Sequence, residues 1–154
     1  MARLNIFADE PWSRIDEERG IKSRYLAMPL GARELGGTLY ELLPGSPGFH
    51  LHAHYALEEM FYVLSGNPTL RTGDGEEPLS PGDVVFCPPG PDGLHTFTNP
   101  TDEPARVLAI SVNRFPEIVL YPERGKFGVA TRDPLRPAPE GSDDIIGLFD
   151  LPEG

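Results

Sequence analysis

Phe49-His50-Leu51-His52-Ala53-His54-Tyr55-Ala56-Leu57-Glu58-Glu59-Met60-Phe61-Tyr62-Val63-Leu64-Ser65-Gly66 sets alternating histidines and a pair of glutamates ahead of an aromatic, β-branched run. In an extended strand side chains alternate faces, so His52 and His54 project from one face, roughly 6.5–7 Å apart along the strand. Two imidazoles so placed can converge on one ion. The chain then turns through Tyr55 to Glu58 and returns a carboxylate on the following strand, which makes the stretch a metal site assembled on a hairpin. Neutral imidazole with carboxylate suits one divalent ion of Fe, Mn, Zn, Ni or Co, with a fourth ligand to come from elsewhere. Glu58 and Glu59 compete for the carboxylate role. With Glu59 inward, Phe61 and Val63 share its face and Glu58 is a solvated turn residue. His50 has the same parity as His52 and His54, which leaves open a rival His50-x-His52 pair. Its other readings are a support to the ligands, the rim of a pocket, or the strand entrance.

A second run, Gly82-Asp83-Val84-Val85-Phe86-Cys87-Pro88-Pro89-Gly90, leads through Pro91-Asp92-Gly93-Leu94 to His95-Thr96-Phe97-Thr98-Asn99. With both runs in order the chain resembles the cupin superfamily, in its bacterial single-domain form. His52-x-His54, Glu59 and Gly66 match the first cupin motif, and Gly82, Pro88, Gly90, His95 and Asn99 match the second. Gly45 stands one residue further from His52 than the motif's opening glycine, and the loop from Gly90 to His95 is two residues longer than the pattern. Such an insertion costs little loop entropy. The spacing to Gly66 favours Glu59 over Glu58 and disfavours the His50-x-His52 pair. The resemblance implies that His52, His54, Glu59 and His95 hold the metal. Asn99, before Pro100, reads as a structural turn residue. The segment Tyr121-Pro122-Glu123-Arg124-Gly125-Lys126 is similar to the tail of bacterial single-domain cupins.

The 154 residues suit one domain with a sizeable core. Proline and glycine, 18 and 17 residues, punctuate short β-rich runs. The net charge of −11 repels phosphate backbones and anionic membrane surfaces, so neither nucleic acid nor membrane is an expected partner. Cys87 is the only cysteine. An intrachain disulfide is therefore excluded, and with no export signal in the first residues a reducing cytoplasm is the expected compartment.

Strand-like runs occur at Lys22–Ala27, Gly37–Leu43, Phe49–His54, Met60–Leu64, Pro68–Thr72, Asp83–Cys87, His95–Thr98 and Ala105–Val112, separated by turn clusters. A short helix is expected around Trp12–Arg19. Short strands at this spacing indicate an all-β sandwich or barrel. The resemblance implies a single cupin jelly-roll barrel, or double-stranded β-helix, over 35–115. Residues 1–34 form an N-terminal extension with a first strand, 116–132 add one strand at Glu117–Tyr121 and a loop, and 133–154 form an acidic, proline-rich tail that wraps the surface or stays mobile.

Three neutral imidazoles and one carboxylate leave a divalent ion near +1 with open positions, as catalytic rather than closed structural sites do. Phe61, Val63 and Phe97 are expected to line a mostly apolar pocket with His50 at its rim. The leading functional expectation is a metal-dependent, dioxygenase-like enzyme acting on a small organic molecule. The alternatives are a metal-dependent sugar-phosphate isomerase or lyase, and a non-catalytic small-molecule binding cupin, since the fold does not select the reaction. No catalytic acid or base is assigned, because neither Tyr62 nor Lys126 can be placed. Exposed sheet edges and faces need covering, and the resemblance implies a homodimer to which residues 1–30 contribute. Cys87, in an apolar run without a basic neighbour, reads as a buried packing residue.

Overall fold

The structure is a computed structural model that describes residues 1–138 and 140–152. Its strands are β1 (Arg14–Asp16), β2 (Ile21–Tyr25), β3 (Leu35–Leu42), β4 (Ala53–His54), β5 (Glu59–Ser65), β6 (Thr69–Thr72), β7 (Glu76–Pro78), β8 (Val84–Cys87), β9 (His95–Thr98), β10 (Ala105–Val112), β11 (Glu117–Tyr121), β12 (Lys126–Ala130) and β13 (Ile146–Asp150). They form a six-stranded sheet, β1-β2-β3-β10-β5-β8, opposed by sheets ordered β13-β12-β11-β4 and β7-β6-β9. A mutual pair of backbone hydrogen bonds between His52 and His95, 3.1 and 2.9 Å, joins the two smaller sheets. The result is a jelly-roll barrel. No helix among the described residues is long and apolar enough to cross a membrane.

Period-two alternation builds the barrel wall. On β5 Phe61 and Val63 are buried while Met60 and Tyr62 are exposed, and on β10 Ala105, Val107 and Ala109 are buried against them. Each fully buried aliphatic side chain contributes about 1.5–3 kcal/mol through apolar surface removed from water. Asn99 has no exposure and staples the barrel end. Its Nδ2 donates to the carbonyls of Leu42, Leu43 and Glu103, and its Oδ1 accepts from the Thr101 hydroxyl at 2.7 Å. Gly66 has φ +74°, and a Cβ there would stand 2.6 Å from Pro104 O. Only glycine fits that turn.

Several expectations are corrected. Trp12–Arg19 holds no helix: Arg14–Asp16 pairs antiparallel with Ile21–Ser23, and the intervening turn is closed by Arg19 N–H donating to Asp16 Oδ1 at 3.1 Å. Sheet pairing supplies the backbone partners that a helix of about two turns would otherwise need. Of Phe49–His54 only Ala53–His54 is a strand, because the Phe49 carbonyl accepts from the Thr96 hydroxyl and the His50 carbonyl from the His52 ring. Two further strands, Glu76–Pro78 and Lys126–Ala130, appear where only turns and loop are expected. The tail does not simply wrap the surface: Ile146–Asp150 pairs along all of β12, with Phe127 and Phe149 stacked at 5.6 Å. Its positions Pro139, Glu153 and Gly154 lie outside the described residues.

Candidate metal centre

His54 closes β4 and His52 is the bridged residue just before it, Glu59 opens β5, and His95 opens β9. The chain turn at Tyr55–Glu58 brings Glu59 back beneath the histidines. Ligand atoms of His52, His54 and Glu59 all lie within 4.8 Å of one another, so the three could hold a metal ion. His95 joins them through Glu59, with its Nε2 3.4 Å from Glu59 Oε2, and its ring centroid is 4.6 Å from that of His52. Glu58 is exposed on the turn, outside this group.

Each of the three rings is held by its Nδ1. His52 Nδ1 meets the His50 carbonyl at 2.9 Å, His95 Nδ1 meets the Gly93 carbonyl at 2.8 Å, and His54 Nδ1 meets Glu117 Oε1 at 3.2 Å. A ring whose Nδ1–H donates outward presents the Nε2 lone pair inward. The Nδ1 partners thus orient three acceptor nitrogens toward one region. The two-residue extension of the Gly90–His95 loop serves this arrangement, since it forms a 3-10 turn at Pro91–Gly93 that supplies the His95 anchor. A Cβ on Gly93 would stand 1.9 Å from Pro88 O, so that turn requires glycine.

Glu59 Oε2 is buried without a hydrogen-bond partner among the described residues. It stands 3.5 Å from His54 Nε2 and 3.4 Å from His95 Nε2. Two donors each about 2.1 Å from a shared ion, subtending about 90–110°, are about 3.0–3.4 Å apart. The separations therefore fit donors arranged around a cation better than donors bonded to each other. Electrostatics agrees. Burial, with the neighbouring His95 and His54, pushes the His52 pKa down to about 3, and burial also lowers that of His95. Burial opposes charge on His54 as well, but the Glu117 hydrogen bond and the Glu59 and Glu117 carboxylates outweigh it, and its pKa is raised. The site thus sets two imidazoles that disfavour a proton, His52 and His95, beside carboxylates that favour a positive charge, which is the donor chemistry of a divalent metal.

The supports come from β11. Glu117 is buried and also accepts from the Tyr55 and Ala56 amides at 3.0 and 2.9 Å, so it fixes both His54 and the hairpin turn. Tyr121, two turns of the pleat further on, stacks on His52 at 6.0 Å and 24°. Sequence reasoning assigns neither residue a role at the site; the available signal is a lone acid at the head of an apolar strand, with Tyr121 on the same face. His50 supports His52 through its backbone carbonyl, while its ring meets Arg19 Nη2 at 2.6 Å. Tyr62 faces outward and Lys126 pairs with Asp150, so neither reaches the site.

A cavity of about 110 Å³ opens beside Glu59, with walls that include Thr38, Tyr40, Ser111, Asn113 and Arg136. Phe61, Val63 and Phe97 do not line it. They are packed in the core, where the Phe61 ring lies 5.0 Å from His95 and 4.7 Å from Phe97. The apolar wall expected from these residues is therefore the floor beneath the histidines, because the inner face of the six-stranded sheet is closed there by β6 and β9. Cys87, opposite Glu59 on β8, is buried, and burial with the Glu59 charge pushes its thiol up to about 12.

Residues 38–111 match the family model described as Cupin domain. Among solved structures, a provisional sugar phosphate isomerase from Acidithiobacillus ferrooxidans aligns with TM-score 0.70 and 28% identity over 84% of this chain and 76% of its own. A sugar phosphate isomerase of the cupin superfamily from Silicibacter pomeroyi aligns with TM-score 0.68 and 29% identity over 79% and 82%. The polyketide cyclase RemF from Streptomyces resistomycificus aligns with TM-score 0.60 and 25% identity over 76% and 83%. No curated protein matches this chain. The jelly roll, the paired motifs and these alignments agree that residues 38–111 form a cupin domain.

Proposed function

We propose that the chain is a metal-dependent enzyme in which His52, His54, Glu59 and His95 hold one divalent transition-metal ion, facing a small oxygen-bearing substrate in the adjoining cavity. The observation that carries this reading is Glu59 Oε2, buried, unpartnered and within 3.5 Å of two inward-facing imidazole nitrogens. An unpaired buried carboxylate oxygen is costly, and a cation removes the cost. When bound, the ion would polarise a carbonyl or hydroxyl oxygen of the substrate as a Lewis acid. The protein's part is orientation. The His50 and Gly93 carbonyls and Glu117 keep the ring protons on the outer nitrogens, and the hydroxyls of Thr38, Tyr40 and Ser111 offer hydrogen bonds to substrate oxygens.

Isomerisation or elimination on a polyoxygenated substrate is the first reading, because Thr38, Ser111, Asn113 and Arg136 place polar groups in the cavity wall and two similar structures carry the name sugar phosphate isomerase. A dioxygenase-like reaction is the second, favoured by a donor set that suits iron as well as zinc. Elemental analysis of protein purified without added metal is expected to show about one ion per chain. A panel of hydroxy-acids, sugar phosphates, enols and phenols is then assayed on zinc-, manganese- and iron-loaded protein. Turnover with zinc supports isomerisation, since zinc has no accessible redox change. Oxygen consumption with iron alone replaces it by the oxidative reading, and ligand binding without turnover for any metal leaves a binding protein.

A homodimer is also proposed. Met60, Phe86 and Ile110 are direct neighbours across β5, β8 and β10 and are exposed, with Tyr62 and Val84 beside them, on a sheet that ends at the β8 edge. An apolar face continuous with a free edge suits a second copy. Light scattering that gives the monomer mass at tens of micromolar refutes it.

A further inference from the structure

The cavity beside Glu59 is closed on one side by the C-terminal segment, which contributes Asp133, Leu135 and Arg136 to its wall. Arg136 is the only cationic residue in that wall, in a chain whose net charge is −11. The side chain is positioned rather than free. Its Nε donates to Asp133 Oδ2 at 3.0 Å, its Nη2 donates to the Ala32 carbonyl in the β2–β3 loop, and its own carbonyl accepts from Arg132 Nη1 at 2.7 Å. No hydrogen bond engages Nη1 among the described residues. A guanidinium has five N–H donors in a planar fork, and these contacts occupy two of them on a side chain that lines the cavity.

We propose that Arg136 is a specificity-determining residue that binds a carboxylate or phosphate at the end of the substrate that does not meet the metal centre. This rests on the reading of the cavity as the substrate site. The remaining polar wall, Thr38, Ser111 and Asn113, can serve neutral oxygens, and of the two acids there Glu59 faces the histidines and Asp133 is spent on Arg136. A neutral hydroxyl can accept from one of the guanidinium's free N–H groups but leaves its charge unmatched. An anion satisfies them with the bidentate geometry that arginine favours. The cavity volume of about 110 Å³ far exceeds the roughly 10–15 Å³ needed for one water, so a small organic anion is the class that fits.

The test uses the full chain loaded with cobalt and three probes on one carbon skeleton: glycerol, glycerate and glycerol 3-phosphate, titrated by calorimetry. The wild type is expected to prefer the anions to glycerol. Arg136→Gln should weaken both anions about ten- to a hundredfold and leave glycerol unchanged, while Arg136→Lys recovers part of the loss. Asp133→Asn separates recognition from a mere tie between the tail and the β2–β3 loop. It breaks the same internal pair but keeps the cation, so it should preserve or strengthen anion binding. Loss of anion binding in Asp133→Asn equal to that in Arg136→Gln overturns the proposal, as does an anion preference that survives Arg136→Gln or is absent from the wild type. Metal content is measured on every sample. If no metal binds, the metal-enzyme reading fails, and titration of the metal-free protein with inorganic phosphate then decides: binding lost in Arg136→Gln upholds the anion site, equal binding in both overturns it.

Discussion

Glu41 and Glu59 stand on the two strands that flank β10, on opposite faces of one sheet, with side chains 8% and 14% exposed. Glu41 faces outward and is fully partnered. Lys22 Nζ donates to it at 2.8 Å, Arg106 Nε at 2.8 Å and Arg106 Nη2 at 2.7 Å, and Trp12 covers the group with Arg24 4.8 Å from its ring. Glu59 faces inward and keeps a bare oxygen between two imidazoles. Residue type, sheet and burial are nearly shared, so what differs is whether the protein itself completes the charge. A buried carboxylate matched by fixed cations is structure; one set among imidazole nitrogens has the donor chemistry that suits a cation.

The largest test of that contrast is Glu59→Ala, which should drop metal content from about one ion per chain to a small fraction, as His52→Ala should. Glu58→Ala should retain it. Chelation should lower the melting temperature of the wild type and not of Glu59→Ala, because an ion held by the native state alone stabilises it by mass action, about 2.7 kcal/mol at a hundredfold excess over Kd. Metal abolished by Glu58→Ala and unaffected by Glu59→Ala would break the comparison at its root.

Next in size, Glu117→Gln leaves every proposed ligand in place but loosens His54 and the Tyr55–Ala56 turn. Metal affinity measured by competition with a chelator should fall about 10–100-fold; an unchanged affinity would reduce Glu117 to a turn residue. On the other side of the sheet, Glu41→Gln should cost about 1–3 kcal/mol of unfolding free energy with metal content untouched, read by denaturant titration and elemental analysis.

The Glu41 contribution also has a pH signature. Burial raises its pKa, but hydrogen bonds and charges from Lys22 and Arg106 outweigh burial and hold it below the ordinary 4.5. A depressed folded-state pKa means that the unfolded chain binds more protons in this range, so the stabilisation is present above 4.5 and is lost as pH falls through the folded value. The stability gap between wild type and Glu41→Gln should therefore narrow in acid below that point. A gap that widens there reverses the assignment. The smallest effect is expected for His50→Ala, which keeps the carbonyl that holds His52; most of the metal should remain, and its loss would show that the ring itself matters.

What could be read from the chain alone is local. Parity along Glu59–Val63 separates the inward residues from Met60 and Tyr62, and the observed register has that alternation. Ala105–Val112 and Glu117–Tyr121 are strands over the bounds expected, because branched and aromatic runs between turn residues have few other ways to bury themselves. The failures share a cause as well. Arg14–Asp16, Lys126–Ala130 and Ile146–Asp150 are strands only because a partner lies beside them, and nothing in their own composition announces it. The same holds at the site. His54 and Glu117 are 63 residues apart and Arg136 and Ala32 104 apart, and the Gly93 carbonyl meets His95 only after the inserted loop has coiled. Side-chain parity is decided between neighbours two residues apart and survives in the sequence as a pattern. Which distant strand closes over that face is decided by burial of the whole barrel, so the histidines are legible in the chain and the groups that aim them belong to the fold.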